Sequence, residues 1–222
     1  MKKPAWEITR DMFLAEHEID LLLHHVRDTE AGRSRRTLAS ARLDRLIVEV
    51  LLYSGLRTSE FCRLTLADTV MARDESVVVV AGPGAGARTV HVPQRVSELV
   101  VRFCRDTRPG FLPDGVRADD LDQPLVFNER GRPYERTGLY RRVKRVLTEA
   151  GLGSRASVQL LRHTYGYLAY KRTGGNLLFV QRQLGHAHPM VTSVYERLVD
   201  ESYPEMADRI DLAGTGATLY GG

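Results

Sequence analysis

Residues 76–93 constrain the fold more than any other stretch of the sequence, because they join two strand-like runs through a glycine-rich turn. The valine run 77–80 leads into Gly82-Pro83-Gly84-Ala85-Gly86, and Thr89-Val90-His91-Val92 follows. This order predicts an antiparallel β-hairpin. The glycines have neither dinucleotide-binding nor P-loop spacing, and no helix begins at them, so both nucleotide-binding folds are excluded.

The rest of the chain shows the apolar periodicity of helices. The spacing predicts helices over 13–26, 41–53, from about 58, 94–104, 137–150, 158–170, 177–184 and 191–198. Pro, Gly and Asp mark 107–123 as a surface loop. We therefore predict a mainly α fold with a small antiparallel β-hairpin or sheet, which is an α+β arrangement.

Composition is that of a globular protein, with 43% hydrophobic and 27% charged residues among 222. No apolar run approaches the roughly 20 residues that span a bilayer, and no apolar stretch follows the first four residues as in a secretory signal. Cys62 and Cys104 lack metal-site spacing, so we expect neither a metal nor a disulfide. These features predict a cytoplasmic protein without a membrane partner.

The basic residues are mostly arginine, because lysine occurs only at positions 2, 3, 144 and 171. Arginine binds phosphate through a planar fork and stays charged when it is buried. Genomic base composition also explains an excess of arginine codons. With a net charge of +4, charge alone makes a nucleic-acid partner plausible and no more.

Arg57 is the first candidate site residue. It follows Ser54-Gly55-Leu56 and precedes Thr58-Ser59-Glu60, so it lies at the first turn of a helix that begins after a glycine break. Glu60 lies one turn later on the same face and is placed to hold the arginine. A surface ion pair is the alternative for this segment alone.

Gln159 and Arg162 share one face of the next candidate helix, while Leu160 and Leu161 point to the core. An arginine in so apolar a helix costs free energy unless it meets an anion or a carboxylate. A bound anion and a buried salt bridge therefore both explain Arg162.

His186 and Tyr195 complete the candidate set. His186 follows the helix-ending Gly185, and Tyr195 lies nine residues later in a predicted short helix. Taken singly, a histidine here is a capping or surface residue, and a helical tyrosine is a core or interface residue.

The ordered set of motifs resembles the catalytic domain of the tyrosine recombinase (phage integrase) family. The matching segments are Ser54-Gly55-Leu56-Arg57-Thr58-Ser59-Glu60, Gly131-Arg132-Pro133, Ala150-Gly151-Leu152, Leu161-Arg162-His163-Thr164, Leu184-Gly185-His186 and Tyr195. The resemblance covers 13–198. It leaves 1–12 as a leader or linker and 199–222 as a C-terminal segment, flexible from about 214.

The resemblance implies a mechanism that needs no cofactor. Tyr195 attacks a DNA phosphodiester and forms a 3′-phosphotyrosyl link, and Arg57 and Arg162 neutralise the charge that builds on the phosphate oxygens. His186 donates a further hydrogen bond or orients the nucleophile. Gln159 belongs to the same constellation.

Two positions depart from the family pattern. Gln159 stands where the family has a histidine or a lysine, and it cannot exchange a proton near neutral pH. Pro83 stands in the hairpin turn where the family has a lysine that protonates the leaving 5′-oxygen. A recombinase-like protein that binds DNA or a partner recombinase without cutting is therefore the alternative. A type IB topoisomerase or telomere resolvase is a third hypothesis.

The expected partner is double-stranded DNA, held mainly through phosphate contacts. Arg88 beside the hairpin and the helical Arg141 and Arg142 are the candidate contacts, although a solvated helix face explains the last two equally well. The family also implies assembly with further copies or a partner recombinase, in which a C-terminal segment docks on a neighbouring subunit. Residues 200–212 are either that segment or a last core helix. A separate N-terminal DNA-binding domain, usual in the family, is not seen.

Overall fold

A computed structural model describes residues 9–29, 35–71, 76–80, 87–186 and 195. The helices are α1 (Glu16–Asp28), α2 (Arg35–Ser54), α3 (Thr58–Phe61), α4 (Gln94–Asp106), α5 (Arg136–Glu149), α6 (Val158–Arg172) and α7 (Leu177–Leu184). The strands are β1 (Thr69–Met71), β2 (Ser76–Val80) and β3 (Arg88–His91). Short 3-10 turns occupy Arg10–Met12, Arg108–Phe111 and Gly153–Arg155. The prediction of a mainly α fold with a small antiparallel sheet is confirmed.

Helix α2 is the centre of the core. Apolar side chains surround it, as expected for a helix that is buried on most of its faces. It packs against α1, α4, α5 and α6. Its fully buried residues include Leu43, Leu46, Ile47, Val50 and Leu51. Since α2 ends at Ser54, this core fixes the position of the turn that carries Gly55.

The predicted hairpin is present as the strand pair β2–β3. The two strands run antiparallel with Val78 opposite Val90, and β1 adds a third antiparallel strand with Thr69 opposite Val78. Strand β3 also packs against α7, which joins the sheet to that helix. Residues 81–86, which include Pro83, lie outside the described part of the chain.

Two helix starts differ from the predictions. Helix α1 begins at Glu16, because Phe13 and Leu14 are buried in extended chain that leads into it. Phe13 stacks on Tyr167 with ring centroids 4.3 Å apart, and the Leu14 amide donates to Thr164 Oγ1 at 2.9 Å. Helix α2 begins at Arg35, before its predicted start at 41.

Several terminal predictions fall where the structure gives no description. These are the leader except for 9–12, the helix over 191–198 except for Tyr195 itself, and the C-terminal segment 199–222. Among the residues that are described, no helix is long and apolar enough to cross a membrane.

Candidate active site

Two left-handed glycine turns frame the candidate site. Gly55 links α2 to α3 and Gly185 ends α7, each with φ of 62°, a conformation that glycine adopts without a steric penalty. A Cβ at Gly55 would lie 2.5 Å from Tyr165 Cδ1 and 2.7 Å from Leu184 Cδ2. The two turns are therefore packed too closely for any other residue at Gly55.

Arg162 of α6 is a buried cation held by main-chain carbonyls. Its side chain donates from Nη1 to the Gly55 carbonyl and from Nη2 to the Leu184 carbonyl at 2.7 Å. Burial and then the neighbouring Arg57 lower the pKa of Arg162 to about 10, so it remains charged at neutral pH. Both hydrogen bonds go to neutral acceptors, which favours the anion-binding explanation over a salt bridge.

Arg57 lies at the start of α3 and points one side of its guanidinium to solvent. Nη1 donates to Glu60 Oε1 at 2.8 Å, and Nη2 donates to the Gly185 carbonyl at 3.0 Å. The Arg57 amide also donates to Glu60 Oε2 at 2.7 Å. With 44% of its side chain exposed, Arg57 is fixed in direction and still open to a ligand.

Arg88 of β3 shares Glu60 with Arg57. Its Nη1 and Nη2 donate to the two Glu60 carboxylate oxygens at 2.6 and 2.9 Å, and its Nε donates to the Gln183 carbonyl at 3.1 Å. Burial alone would raise the pKa of Glu60, but the hydrogen bonds from Arg88 and Arg57 outweigh it and hold that pKa at about 2.

This geometry gives Arg88 a different role from the one expected. All three of its donor groups are directed into the protein, and a Cβ at Gly185 would lie 2.8 Å from Arg88 Cδ. Arg88 therefore fastens the hairpin to α3 and to the end of α7. Its guanidinium is directed into the protein and not toward a DNA phosphate, contrary to the prediction.

His186 follows Gly185 and is half-buried. Its amide donates to the Gln181 carbonyl at 3.1 Å, and its own carbonyl accepts from Gln181 Nε2 at 3.2 Å. Burial and then the positive charge of Arg162 and Arg57 lower the pKa of His186 to about 4. The imidazole is therefore neutral near pH 7, where it offers one N–H donor and one acceptor.

Tyr195 is buried against the backbone of α6. Its side chain is 1% exposed. A Cβ at Gly166 would lie 2.3 Å from Tyr195 Cζ and 2.4 Å from its hydroxyl oxygen. Burial raises the pKa of Tyr195 to about 12, although Arg162 opposes the shift. The hydroxyl is therefore protonated at neutral pH and needs a proton acceptor before it can act as a nucleophile.

Sequence reasoning missed His163, which contacts the candidate nucleophile. Its Nδ1 lies 3.3 Å from the Tyr195 hydroxyl, and its Nε2 lies 3.0 Å from Gln159 Nε2. Gln159 itself is exposed. Two signals were available: His163 lies one helical turn after Gln159 and directly after Arg162, and Gly166 breaks the helical pattern where a close approach is needed.

The predicted residues converge from four elements. Arg57 comes from the start of α3, Arg162 from α6, His186 from the end of α7, and Tyr195 from the chain beyond α7. The charges of Arg162 and Arg57 act on His186, and that of Arg162 acts on Tyr195. The group thus contains two guanidinium forks, a neutral imidazole and a buried phenol, a set of groups suited to an anionic oxygen cluster.

Arg142 was predicted to be an exposed DNA contact or part of a solvated helix face, and that prediction was wrong because Arg142 is buried. Its side chain is 8% exposed and donates to Asp44 Oδ1 at 2.7 Å, to Tyr134 Oη at 2.9 Å and to the carboxylate of Glu129. This network ties α5 to α2. Arg141, by contrast, is exposed and keeps its place as a candidate DNA contact.

Comparison with known proteins agrees with the fold. Residues 12–202 match the model described as the phage integrase family. Tyrosine recombinase XerC of Halalkalibacterium halodurans is 30% identical over 189 residues, which cover 85% of this chain and 58% of that protein. Tyrosine recombinase XerA of Pyrococcus furiosus is 30% identical over 171 residues, covering 76% and 55%. The chain thus spans a little over half the length of these relatives.

A solved structure shows the same fold. The XerH site-specific recombinase bound to its difH substrate, in a pre-cleavage complex, superposes with a TM-score of 0.70 and 20% sequence identity. The match covers 96% of this chain and 56% of that one.

Proposed function

The chain belongs to the phage integrase family, and we propose that it acts as a site-specific DNA recombinase through a 3′-phosphotyrosyl intermediate on Tyr195. One observation carries the proposal. Arg162 is a buried cation whose hydrogen bonds all go to carbonyls, and its charge reaches the buried Tyr195 hydroxyl. We assign 13–198 to the catalytic domain.

The proposed reaction is an in-line displacement at phosphorus. The Tyr195 oxygen forms a bond to the phosphorus while the bond to the 5′-oxygen breaks. Arg57 and Arg162 stabilise the charge on the non-bridging oxygens, and each such donor is worth about 100- to 1000-fold in rate. His186, neutral near pH 7, adds a hydrogen bond. The phosphotyrosyl ester conserves the phosphodiester, so rejoining needs no nucleotide cofactor.

Cleavage requires a change at Tyr195. With 1% of its side chain exposed, the hydroxyl is closed to a DNA phosphate in the conformation described. We therefore propose that the Tyr195 ring moves when DNA binds. Arg57 and Arg162, which are held by main-chain carbonyls, stay in place. Catalytic hydrogen bonds commonly tighten only in the substrate complex.

Double-stranded DNA is the proposed partner, and the exposed Arg57 and Arg141 are the proposed phosphate contacts. Recombination joins two duplexes, so we also propose assembly with further copies or with a partner recombinase on DNA. The matched region is 58% and 55% of the length of these two relatives, so the proposed partners are those of the catalytic domain alone.

The second candidate function is DNA binding without cleavage. Gln159 motivates it, because its carboxamide is exposed at the site and has no proton to exchange near neutral pH. Pro83 motivates it from the sequence, although this residue lies outside the described part of the chain. The two candidates differ in a single product, the covalent adduct.

The deciding experiment traps that adduct. The protein is incubated with a pool of radiolabelled duplexes that carry a random sequence next to a nick, so that a cleaved fragment diffuses away and the adduct accumulates. Products are separated on a denaturing gel, and adducts are cut out and sequenced. We expect adducts from the wild type and from Tyr140→Phe, which changes an exposed tyrosine of α5, and none from Tyr195→Phe.

The opposite result identifies the binding module. Sequence-specific binding by both wild type and Tyr195→Phe, with no adduct from either, would exclude strand cleavage by this chain. Adducts that appear only in Pro83→Lys would then show that the missing proton donor is the reason.

A further inference from the structure

One side chain in contact with the nucleophile has no part in the mechanism above. His163 lies between Gln159 and Tyr195 and directly follows Arg162 in α6. We propose that His163 accepts the proton of the Tyr195 hydroxyl during strand cleavage and that Gln159 holds its imidazole in position. The inference rests on the proposed function and deepens it.

The contact geometry supports a proton path. His163 Nδ1 is 3.3 Å from the Tyr195 hydroxyl, a distance that a small approach converts into a full hydrogen bond. The ring cannot swing freely, because its other nitrogen contacts Gln159 Nε2 at 3.0 Å. Gly166, one turn along α6 from His163, admits the Tyr195 ring by having no side chain.

Gln159 is suited to both forms of the imidazole. Its amide nitrogen donates to an unprotonated Nε2, and its amide oxygen, after rotation of the amide, accepts from a protonated Nε2. With the oxygen facing Nε2–H, Nδ1 has a free lone pair for the phenol proton. The resulting imidazolium has an N–H on each side, one toward Gln159 and one toward Tyr195.

The surrounding charges keep His163 ready to accept a proton. Burial and then the adjacent Arg162 lower the pKa of His163, so the free imidazole is neutral near pH 7. The groups that face it are Arg162 and Gln159 of α6, His186 after α7, and Tyr195 itself. Bound phosphate adds negative charge beside the ring and favours the imidazolium that forms in the reaction.

The proton balance of each step is complete. In cleavage, the Tyr195 O–H proton goes to His163 Nδ1, the new O–P bond forms, the P–O5′ bond breaks, and water protonates the leaving 5′-oxygen. In rejoining, a 5′-hydroxyl gives its proton to water and attacks phosphorus, and His163 returns its proton to the departing Tyr195 oxygen. His163 therefore serves as base in one direction and as acid in the other.

The competing explanation is that the contact between His163 and the Tyr195 hydroxyl only stabilises the buried, inactive position of Tyr195. If the contact only stabilises the buried position, its removal should leave the cleavage rate unchanged or increase it. A proton acceptor predicts slower cleavage. The direction of the rate change therefore separates the two.

The test compares His163→Gln with His24→Gln, which changes a histidine of α1 whose side chain is 81% exposed. Single-turnover cleavage is measured on a sequence recovered from the adduct pool, with the ordinary 5′-oxygen and with sulfur in its place. We expect His163→Gln to slow cleavage about 100-fold on both substrates. Sulfur leaves without a proton, so it relieves a missing acid and not a missing base.

The pH profile gives a readout that a structural role would not move. The wild-type rate should rise with pH and level off once His163 is neutral, whereas the His163→Gln rate should keep rising with pH. Gln159→Glu should move the levelling point to higher pH, because a carboxylate stabilises the imidazolium. Gln159→Leu should lower the rate and leave DNA binding intact.

Three results would overturn the proposal. The first is a cleavage rate of His163→Gln equal to or above that of the wild type. The second is full recovery of the variant's rate on the sulfur substrate. The third is a pH profile of the variant that matches that of the wild type. If the wild type forms no adduct at all, the proposed function fails and this inference fails with it. If the wild type forms adducts and His163→Gln cleaves at the wild-type rate, this inference is contradicted and the proposed function stands.

A measurement without DNA checks the contact itself. In protein labelled with ¹⁵N in histidine, the ring signals of His163 report which nitrogen carries the proton. Tyr195→Phe should shift those signals, and Tyr140→Phe should not. An unchanged His163 spectrum in Tyr195→Phe would contradict the hydrogen bond from which the proposal starts.

Discussion

Alanine at Gly166 should expel the Tyr195 ring from its packing without unfolding the domain. The added Cβ would lie 2.3 Å from Tyr195 Cζ and 2.4 Å from the hydroxyl oxygen. Non-bonded carbons rest at about 3.5 to 4.0 Å, so one partner must retreat by more than about 1 Å. Helix α6 packs on α2 in the core and is held by that packing, whereas the Tyr195 ring can turn about its own side-chain bonds. We expect the ring to move.

Two opposing terms set the stability change. Loss of a buried aromatic ring costs about 1.5 to 3 kcal/mol, while alanine in place of glycine inside a helix gains about 1 kcal/mol. The net loss is therefore about 1 kcal/mol. Once the hydroxyl reaches water, the pKa of Tyr195 should fall from about 12 toward the ordinary value for tyrosine.

Nitration by tetranitromethane, mapped by mass spectrometry, reports tyrosine exposure directly. Tyr195 should be protected in the wild type and modified in Gly166→Ala. The matched control is Gly138→Ala in α5, where a Cβ would meet Tyr134 Cδ1 at an ordinary 3.6 Å. Protection of Tyr195 in Gly166→Ala, with urea unfolding like that of Gly138→Ala, would refute the packing.

Three further predictions concern the charges. Arg142→Ala should lower the free energy of unfolding by about 1 to 3 kcal/mol, because it removes the buried hydrogen bonds to Asp44, Tyr134 and Glu129, although Arg145 still pairs with Asp44. Arg141→Ala should change it by less than about 0.5 kcal/mol. Equal urea midpoints for the two variants would contradict this assignment. Conversely, Arg141→Ala should reduce the slope of log binding constant against log salt by about 1, and an unchanged slope would remove it from the DNA surface. On acidification, stability should fall first from about pH 6.5 toward 4, because burial lowers the pKa of His186 and His163, so the unfolded chain binds protons that the folded chain does not. It should fall again between about pH 4.5 and 2, where Glu60 is protonated more readily when unfolded. His186→Asn should reduce the first fall in urea midpoints and leave the part due to His163, and an unaltered first fall would contradict this assignment.

Local signals predicted the elements well where glycines mark both ends. Helix α7 has the predicted span, because Gly174-Gly175 precede it and Gly185 ends it. The start of α1 was misplaced because Phe13 fits the helical period and yet is buried by a contact with Tyr167, which is distant in sequence. Strand β1 was missed because three residues are too few to show a period.

The site could be predicted where its contacts are local. The Arg57–Glu60 pair follows from helical spacing, and the structure places it as expected. The second partner of Glu60 is Arg88, which lies 28 residues away in sequence, and no local pattern indicates it. The same holds for Arg142, whose partner Asp44 is 98 residues away. Tertiary packing, which no local pattern reports, decides that Arg142 is buried while Arg141 is exposed.

The acceptors that hold the two site arginines have a consequence for how such a protein tolerates mutation. Arg162 is held by the carbonyls of Gly55 and Leu184, and Arg57 by the carbonyl of Gly185 as well as by Glu60. A carbonyl survives every side-chain substitution. Genetic drift in α7 can therefore alter side chains without removing these acceptors, whereas the two glycines, whose conformation aims the carbonyls, have almost no permissible replacement. In a deep mutational scan, Gly55 and Gly185 should rank with Arg162 and Tyr195 in intolerance, although neither takes part in the chemistry.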